Sequence, residues 1–298
     1  MKPTAVVEVM GTRLHYREEG GGEPVLLLHG VNGGASMWEA ALRALSPRVR
    51  AIAPDLPGWG DTPPPPGFGY TMNDLVRFFF ALMDRMGLER VRLVGWSLGG
   101  TLAVRMAHER PDRVRSLALV APGALDASAH WSFRIMALPG IGEWLMRPTP
   151  ANIRAGLDAL TFAPRALPEE VESYLFRVGR NPWFRRTTLR WIRRNRVLLE
   201  GARRVTVRHL LGEIRCPTRV LFGEADPLVS LAQANFARSI PGAEITLLPR
   251  CGHLPMWEQQ ELFRIWLLES VAERNGSSGR SAGEGYSNAA TSAILDLE

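Results

Sequence analysis

Lysine occurs once in the chain, at Lys2, and cysteine twice, at Cys216 and Cys251. Two cysteines without a C-x-x-C pair or a His/Cys cluster exclude a disulfide framework and offer no metal-ligand spacing. Both read as small buried apolar residues. Nowhere do the ~18 apolar residues of a membrane span run together; even Phe78-Phe79-Phe80-Ala81-Leu82-Met83 is closed by Arg77 and Asp84. The opening Met1-Lys2-Pro3-Thr4 lacks the apolar core of a secretory signal, so a cytoplasmic protein is expected. The positive charge is almost all arginine, for a formal net charge of +6. A basic balance suits nucleic acid or an anionic membrane. An arginine-for-lysine bias equally follows from a GC-rich genome, and no nucleic-acid partner is expected. The 298 residues, 46% hydrophobic and 22% charged, suffice for one α/β domain with an insertion.

Ala5–Val9 and Arg13–Arg17 alternate around Gly11, as an edge hairpin does. Continuous apolar strands are expected at Val25–His29, Arg50–Pro54, Val91–Trp96, Ser116–Val120, Thr218–Phe222 and Glu244–Leu248, with helices at Met37–Leu45, Thr71–Met86 and Gln260–Glu273 between or after them. Such alternation implies a parallel sheet with helices on both faces, whose functional residues collect at the carboxyl ends of the strands. From 126 to 211 the strand signal stops and helical runs rich in Trp and Arg take over, too long for a plain connection. The organisation expected is a core formed by 1–125 and 212–274, a helical cap inserted at 126–211, and a Gly/Ser/Ala-rich disordered tail at 275–298.

The strand Val91–Trp96 breaks into Gly95-Trp96-Ser97-Leu98-Gly99 and a helix follows at once. This is the strand–turn–helix setting of a nucleophile elbow, with glycines flanking a strained serine. By itself the pentapeptide is weak evidence. A serine needs a base, and the base needs an orienting group. Asp226 follows the strand ending at Phe222, and His253 lies in the loop after the strand ending at Leu248. The order Ser97, Asp226, His253 is the hydrolase order. Glu224 is a reserve for the acid. The oxyanion donors expected are the backbone N–H of Leu98 and, from the loop after Leu28, that of Val31. His29 reads as a structural residue that shapes this loop.

At these residues the chain resembles the α/β-hydrolase superfamily. The likeness rests on His29-Gly30, Asp55-Leu56-Pro57-Gly58-Trp59-Gly60, the elbow, Gly223-x-x-Asp226 and Gly252-His253-x-Pro255-x-x-Glu258. It implies an α/β-hydrolase fold: a mostly parallel eight-stranded sheet, helices on both faces and an inserted helical cap. No cofactor and no metal is implied.

The reaction expected is hydrolysis of carboxylic esters of small to medium apolar acyl groups through an acyl-enzyme on Ser97. The alternatives are a carbon–carbon bond hydrolase of aromatic ring-cleavage dienoates, a methyl ester esterase receiving an acidic carrier protein, and a non-enzymatic receptor. The carbon–carbon hydrolases are similar in Trp38 and in Gly252-His253…Trp257-Glu258 but typically carry Asn where this chain has Trp96. They also need a pocket cation for the dienoate carboxylate. Trp96 and, from the run Arg185 to Arg196, an inward Arg190 are the expected pocket residues. Trp131, Trp144, Trp183 and Trp191 are the expected apolar roof.

Overall fold

The computed structural model describes residues 4–163, 167 and 169–272; the expected tail lies outside them. Eight strands form one sheet: β1 (Ala5–Val9), β2 (Thr12–Glu19), β3 (Pro24–Leu28), β4 (Arg50–Pro54), β5 (Val91–Trp96), β6 (Val114–Val120), β7 (Thr218–Gly223) and β8 (Glu244–Leu248). Their order is β1-β2-β4-β3-β5-β6-β7-β8. β2 runs antiparallel to both neighbours, and every pair from β4 to β8 is parallel.

The two-residue period of β3 divides the core. Leu26 and Leu28 point to one side of the sheet, where α2 (Met72–Arg85) and α3 (Leu98–Glu109) bring Phe78, Phe79 and Leu102. Val25 and Leu27 point to the other, against Trp38, α1 (Glu39–Leu45) and α12 (Gln260–Val271). A strand covered on both faces must be apolar at every position, which explains the unbroken run. α2 begins at a capping box: the Thr71 hydroxyl accepts from the Asp74 N–H, and the Asp74 carboxylate accepts from the Thr71 N–H. Of the two cysteines, Cys251 is buried and Cys216 only half-buried.

Between β6 and β7 lie only helices among the described residues: α4 (Trp131–Met136), α5 (Ile141–Leu145), α6 (Pro150–Asp158), α7 (Glu169–Gly179), α8 (Phe184–Arg194) and α9 (Val197–Glu200). They are tied down near the carboxyl ends of the strands. The Trp59 indole N–H donates to Thr188 Oγ1 at 2.9 Å, Asn181 Nδ2 to the Gly60 carbonyl at 2.7 Å, and Arg177 pairs with Asp61 at 2.6 Å. After β7 come α10 (Ala232–Ala237) and α11 (Pro255–Glu258). No helix among the described residues is long and apolar enough to cross a membrane.

Candidate active site

β5 ends at Trp96, and Ser97 turns the chain into α3 with φ 54° and ψ −118°. A non-glycine residue in this region is strained and persists only where its surroundings enforce it. Here they do. A Cβ on Gly95 would run into the backbone of Gly99, and one on Gly99 into the Leu28 carbonyl. The Ser97 N–H donates to the Val120 carbonyl at 3.0 Å, so the neighbouring strand end holds the turn.

Asp226 and His253 meet beside it. Nδ1 of His253 lies 2.7 Å from Asp226 Oδ2, and both side chains are 1% exposed. The other carboxylate oxygen accepts from the Leu228 and Val229 N–H groups at 2.8 and 2.9 Å. An ionised carboxylate can only accept, so the short contact at Oδ2 places the His253 proton on Nδ1. Nε2 is then the basic nitrogen. It is buried and has no partner among the described residues, and His253 and Ser97 line the same cavity. Glu224, the reserve acid, is exposed.

The loop after β3 is braced from behind. His29 is fully buried, and burial lowers its pKa to about 4, so its ring is neutral. Nδ1 donates to the Gly30 carbonyl at 2.7 Å, and Nε2 accepts the Leu56 N–H at 2.7 Å. Asp55 completes the brace. Oδ1 accepts from the Ala35 N–H, and Oδ2 from the Asp61 N–H and the Thr62 hydroxyl. Burial raises the Asp55 pKa to about 7 in spite of these donors. Within the braced loop the Val31 N–H has no backbone acceptor among the described residues, and neither has the Leu98 N–H at the start of α3.

The cavity encloses about 350 Å³. Val31, Asn32, Trp96, Ser97 and His253 form its floor, and Trp131, Ile135, Leu145, Leu157 and Leu160 belong to its apolar walls. Trp96 lines it, and its indole N–H also donates to the His253 carbonyl at 2.8 Å. Arg190 does not line it. Its guanidinium packs over the Tyr70 ring, 5.6 Å from the centroid, because the inward face of α8 is taken by Thr187, Thr188, Trp191 and Ile192. The lining arginine is Arg147, exposed at the segment between α5 and α6 and without an ion-pair partner among the described residues. Of the four tryptophans expected in the roof, Trp131 alone lines the cavity; Trp191 is core, and Trp144 faces solvent.

Two features escaped the sequence reading. Asp55 stands in a quoted motif, so its signal was present. Arg147, in Met146-Arg147-Pro148, carries no periodicity or motif that singles it out. Among the described residues no group of three His, Cys, Asp or Glu side chains is placed to hold a metal.

The chain is 30% identical over 274 residues to a 2-hydroxy-6-oxo-6-phenylhexa-2,4-dienoate hydrolase of Burkholderia cepacia, covering 87% of this chain and 91% of that one. It is 29% identical over 268 residues to a 2-hydroxy-6-oxononadienedioate/2-hydroxy-6-oxononatrienedioate hydrolase of Comamonas testosteroni, covering 87% and 91%. Among solved structures, the fold matches a meta-cleavage product hydrolase from Pseudomonas fluorescens IP01 with a TM-score of 0.79 at 23% identity, over 91% of this chain and 98% of that one. These relatives correct the expected reaction. The sequence relatives, each matching more than four fifths of the chain, are named for dienoates and not for esters. The elbow and its partners serve either bond, so the motifs alone could not separate them. The model of the alpha/beta hydrolase family matches residues 25–265, and with the sheet order and the elbow in place the chain belongs to that family.

Proposed function

We propose that the protein hydrolyses the carbon–carbon bond next to the 6-oxo group of 2-hydroxy-6-oxo-dienoates. The observation that carries this reading is the near-full-length similarity to hydrolases named for such substrates. The cavity supports it with one cation, Arg147, in a mostly apolar lining. Arg147 binds the substrate carboxylate, and the helices of 126–211 act as the cap that supplies the walls.

In this reading the dienol first ketonises: the 2-hydroxyl loses its proton and C5 gains one, leaving a 2,6-dioxo-3-enoate. His253 Nε2 takes the Ser97 proton as Oγ attacks C6, and the Val31 and Leu98 N–H groups hold the oxyanion. The C5–C6 bond then breaks. Its electron pair runs through the C3–C4 double bond onto the 2-oxo oxygen, which the imidazolium protonates to release a 2-hydroxydienoate. Water, deprotonated by His253, cleaves the acyl group from Ser97 as a carboxylic acid. Asp226 fixes the tautomer and stabilises the imidazolium throughout. The leaving carbanion is tolerable only because it is conjugated to the 2-oxo group, so the dienoate is part of the mechanism.

The test is incubation with 2-hydroxy-6-oxo-6-phenylhexa-2,4-dienoate, following loss of its conjugated absorbance and formation of benzoate by chromatography. The expected result is stoichiometric benzoate, abolished by Ser97→Ala. No benzoate from a preparation whose Ser97 still reacts with a fluorophosphonate would refute the substrate assignment.

A further inference from the structure

The loop that carries His253 is gripped by a residue outside the triad. Glu258, at the end of α11, places Oε1 3.1 Å from the Leu254 N–H and Oε2 3.0 Å from the Gly252 N–H. These are the two amides that flank His253. The same Oε2 accepts a third N–H, from Phe162, at 2.7 Å. Phe162 lies 96 positions away, in the segment after α6. Two residues before it, the Leu160 carbonyl accepts the N–H of His253 itself at 2.7 Å. The contact leaves no slack: a Cβ on Gly252 would lie 2.7 Å from the Phe162 nitrogen, 2.8 Å from the Leu160 oxygen and 2.9 Å from Glu258 Oε1.

A glutamate at the end of a one-turn helix would ordinarily do no more than close its own turn. Reaching Phe162 adds nothing to that task. The carboxylate has no ion-pair partner among the described residues, and its charge is met by three backbone dipoles. Charge-assisted bonds of this kind are short and hold geometry better than neutral ones. On the far side of His253, the Trp96 indole N–H holds its carbonyl. The backbone of His253 is thus fixed by Leu160 and Trp96, and its neighbours by Glu258, while Leu160 also forms cavity wall.

We propose that Glu258 is a positioning residue for His253, holding the loop of the base in register with the Leu160–Phe162 wall so that the two move as one unit. This rests on the reading of His253 as the base for Ser97. A shift of about 1 Å in a reacting group can cost a hundredfold in rate, which is why the register matters.

The test uses the full chain and a fluorophosphonate probe, which reports attack by Ser97 whatever the natural substrate. Glu258→Gln keeps the shape but leaves one acceptor oxygen and turns an NH2 group toward an amide N–H. The expected result is a fall of about 10- to 100-fold in kinact with KI unchanged. Hydrogen exchange in peptides covering 160–163 and 251–256 should accelerate, with the melting transition still cooperative. An unchanged kinact, or unchanged exchange, would overturn the proposal. Should Glu258→Gln fail to fold, Phe162→Pro removes the distant N–H donor, together with an exposed ring and the backbone freedom of that position, and Phe162→Ala controls for loss of the ring. Phe162→Pro is expected to lower kinact about threefold or more and to speed exchange over 251–256, and a wild-type kinact would overturn the proposal. Labelling that survives Ser97→Ala would refute the serine–histidine reading, and this proposal with it. Labelling that requires Ser97 but ignores Glu258→Gln would overturn the positioning role alone.

Discussion

Replacing Asp226 by Asn tests the arrangement at its most constrained point. The wild-type carboxylate receives the Leu228 and Val229 N–H groups on Oδ1 and His253 Nδ1–H on Oδ2, at 2.8, 2.9 and 2.7 Å. The amide of Asn can keep its oxygen on the two backbone donors. Its NH2 then faces Nδ1, which must become an acceptor. The imidazole proton moves to Nε2, toward Ser97, and the ring can no longer accept the serine proton. The fold loses little, because the volume and two hydrogen bonds survive and the third only reverses its direction. An imidazole in the wrong tautomer costs about 10⁴ in kcat, or about 5 kcal/mol of transition-state stabilisation. The assay is kcat on the dienoate together with fluorophosphonate kinact, beside a thermal melt showing a transition within a few degrees of wild type. Glu224→Gln is the control; being exposed, Glu224 should tolerate it with less than a twofold change. Activity of Asp226→Asn within about tenfold of wild type would refute the tautomer argument.

Asp55 predicts a pH dependence. Its carboxyl is raised from 3.8 to about 7 in the fold, so its contribution to stability is fully present below the unfolded value and is lost as pH rises through about 7. The melting temperature of wild type minus that of Asp55→Asn should therefore fall between about pH 5 and about pH 8, and a flat difference would contradict the assignment. Gly99→Ala drives a methyl group into the backbone of Leu28 and to 2.8 Å from the His29 oxygen. A loss of at least about 3 kcal/mol is expected, and a soluble variant with unchanged melting would show that the elbow has more room than described. Arg147→Ala should raise KM for a dienoate carboxylate about tenfold and leave the methyl ester of the same dienoate nearly unaffected. Equal effects on both would remove Arg147 from carboxylate binding.

The sheet and the placement of Ser97, Asp226 and His253 were legible because each depends on local chemistry. Gly99 has no room for a Cβ against Leu28, and β3 is apolar at alternate positions on both faces because helices cover both. These constraints write themselves into short stretches of sequence. The cavity walls do not work this way. Arg190 sits in an arginine-rich helix whose apolar stripe is equally visible, yet the inward positions are Thr187, Thr188, Trp191 and Ile192. Arg190 stays exposed, with its guanidinium over the edge of the core at the Tyr70 ring. Arg147 reaches the cavity from an irregular segment, where no period tells inside from outside. The same gap explains the reaction. Ester and dienoate hydrolysis share nucleophile, base and oxyanion donors and differ in what leaves. An ester's alcohol leaves once its oxygen is protonated, whereas the carbon leaving group of the proposed reaction departs only with its electron pair delocalised onto the 2-oxo oxygen. In the proposed reading, Arg147 and Ser97 in one mostly apolar cavity select a substrate by the length between its carboxylate and its reacting carbonyl. In that reading the acyl group beyond the carbonyl faces a mostly apolar wall, which distinguishes size far more than chemistry.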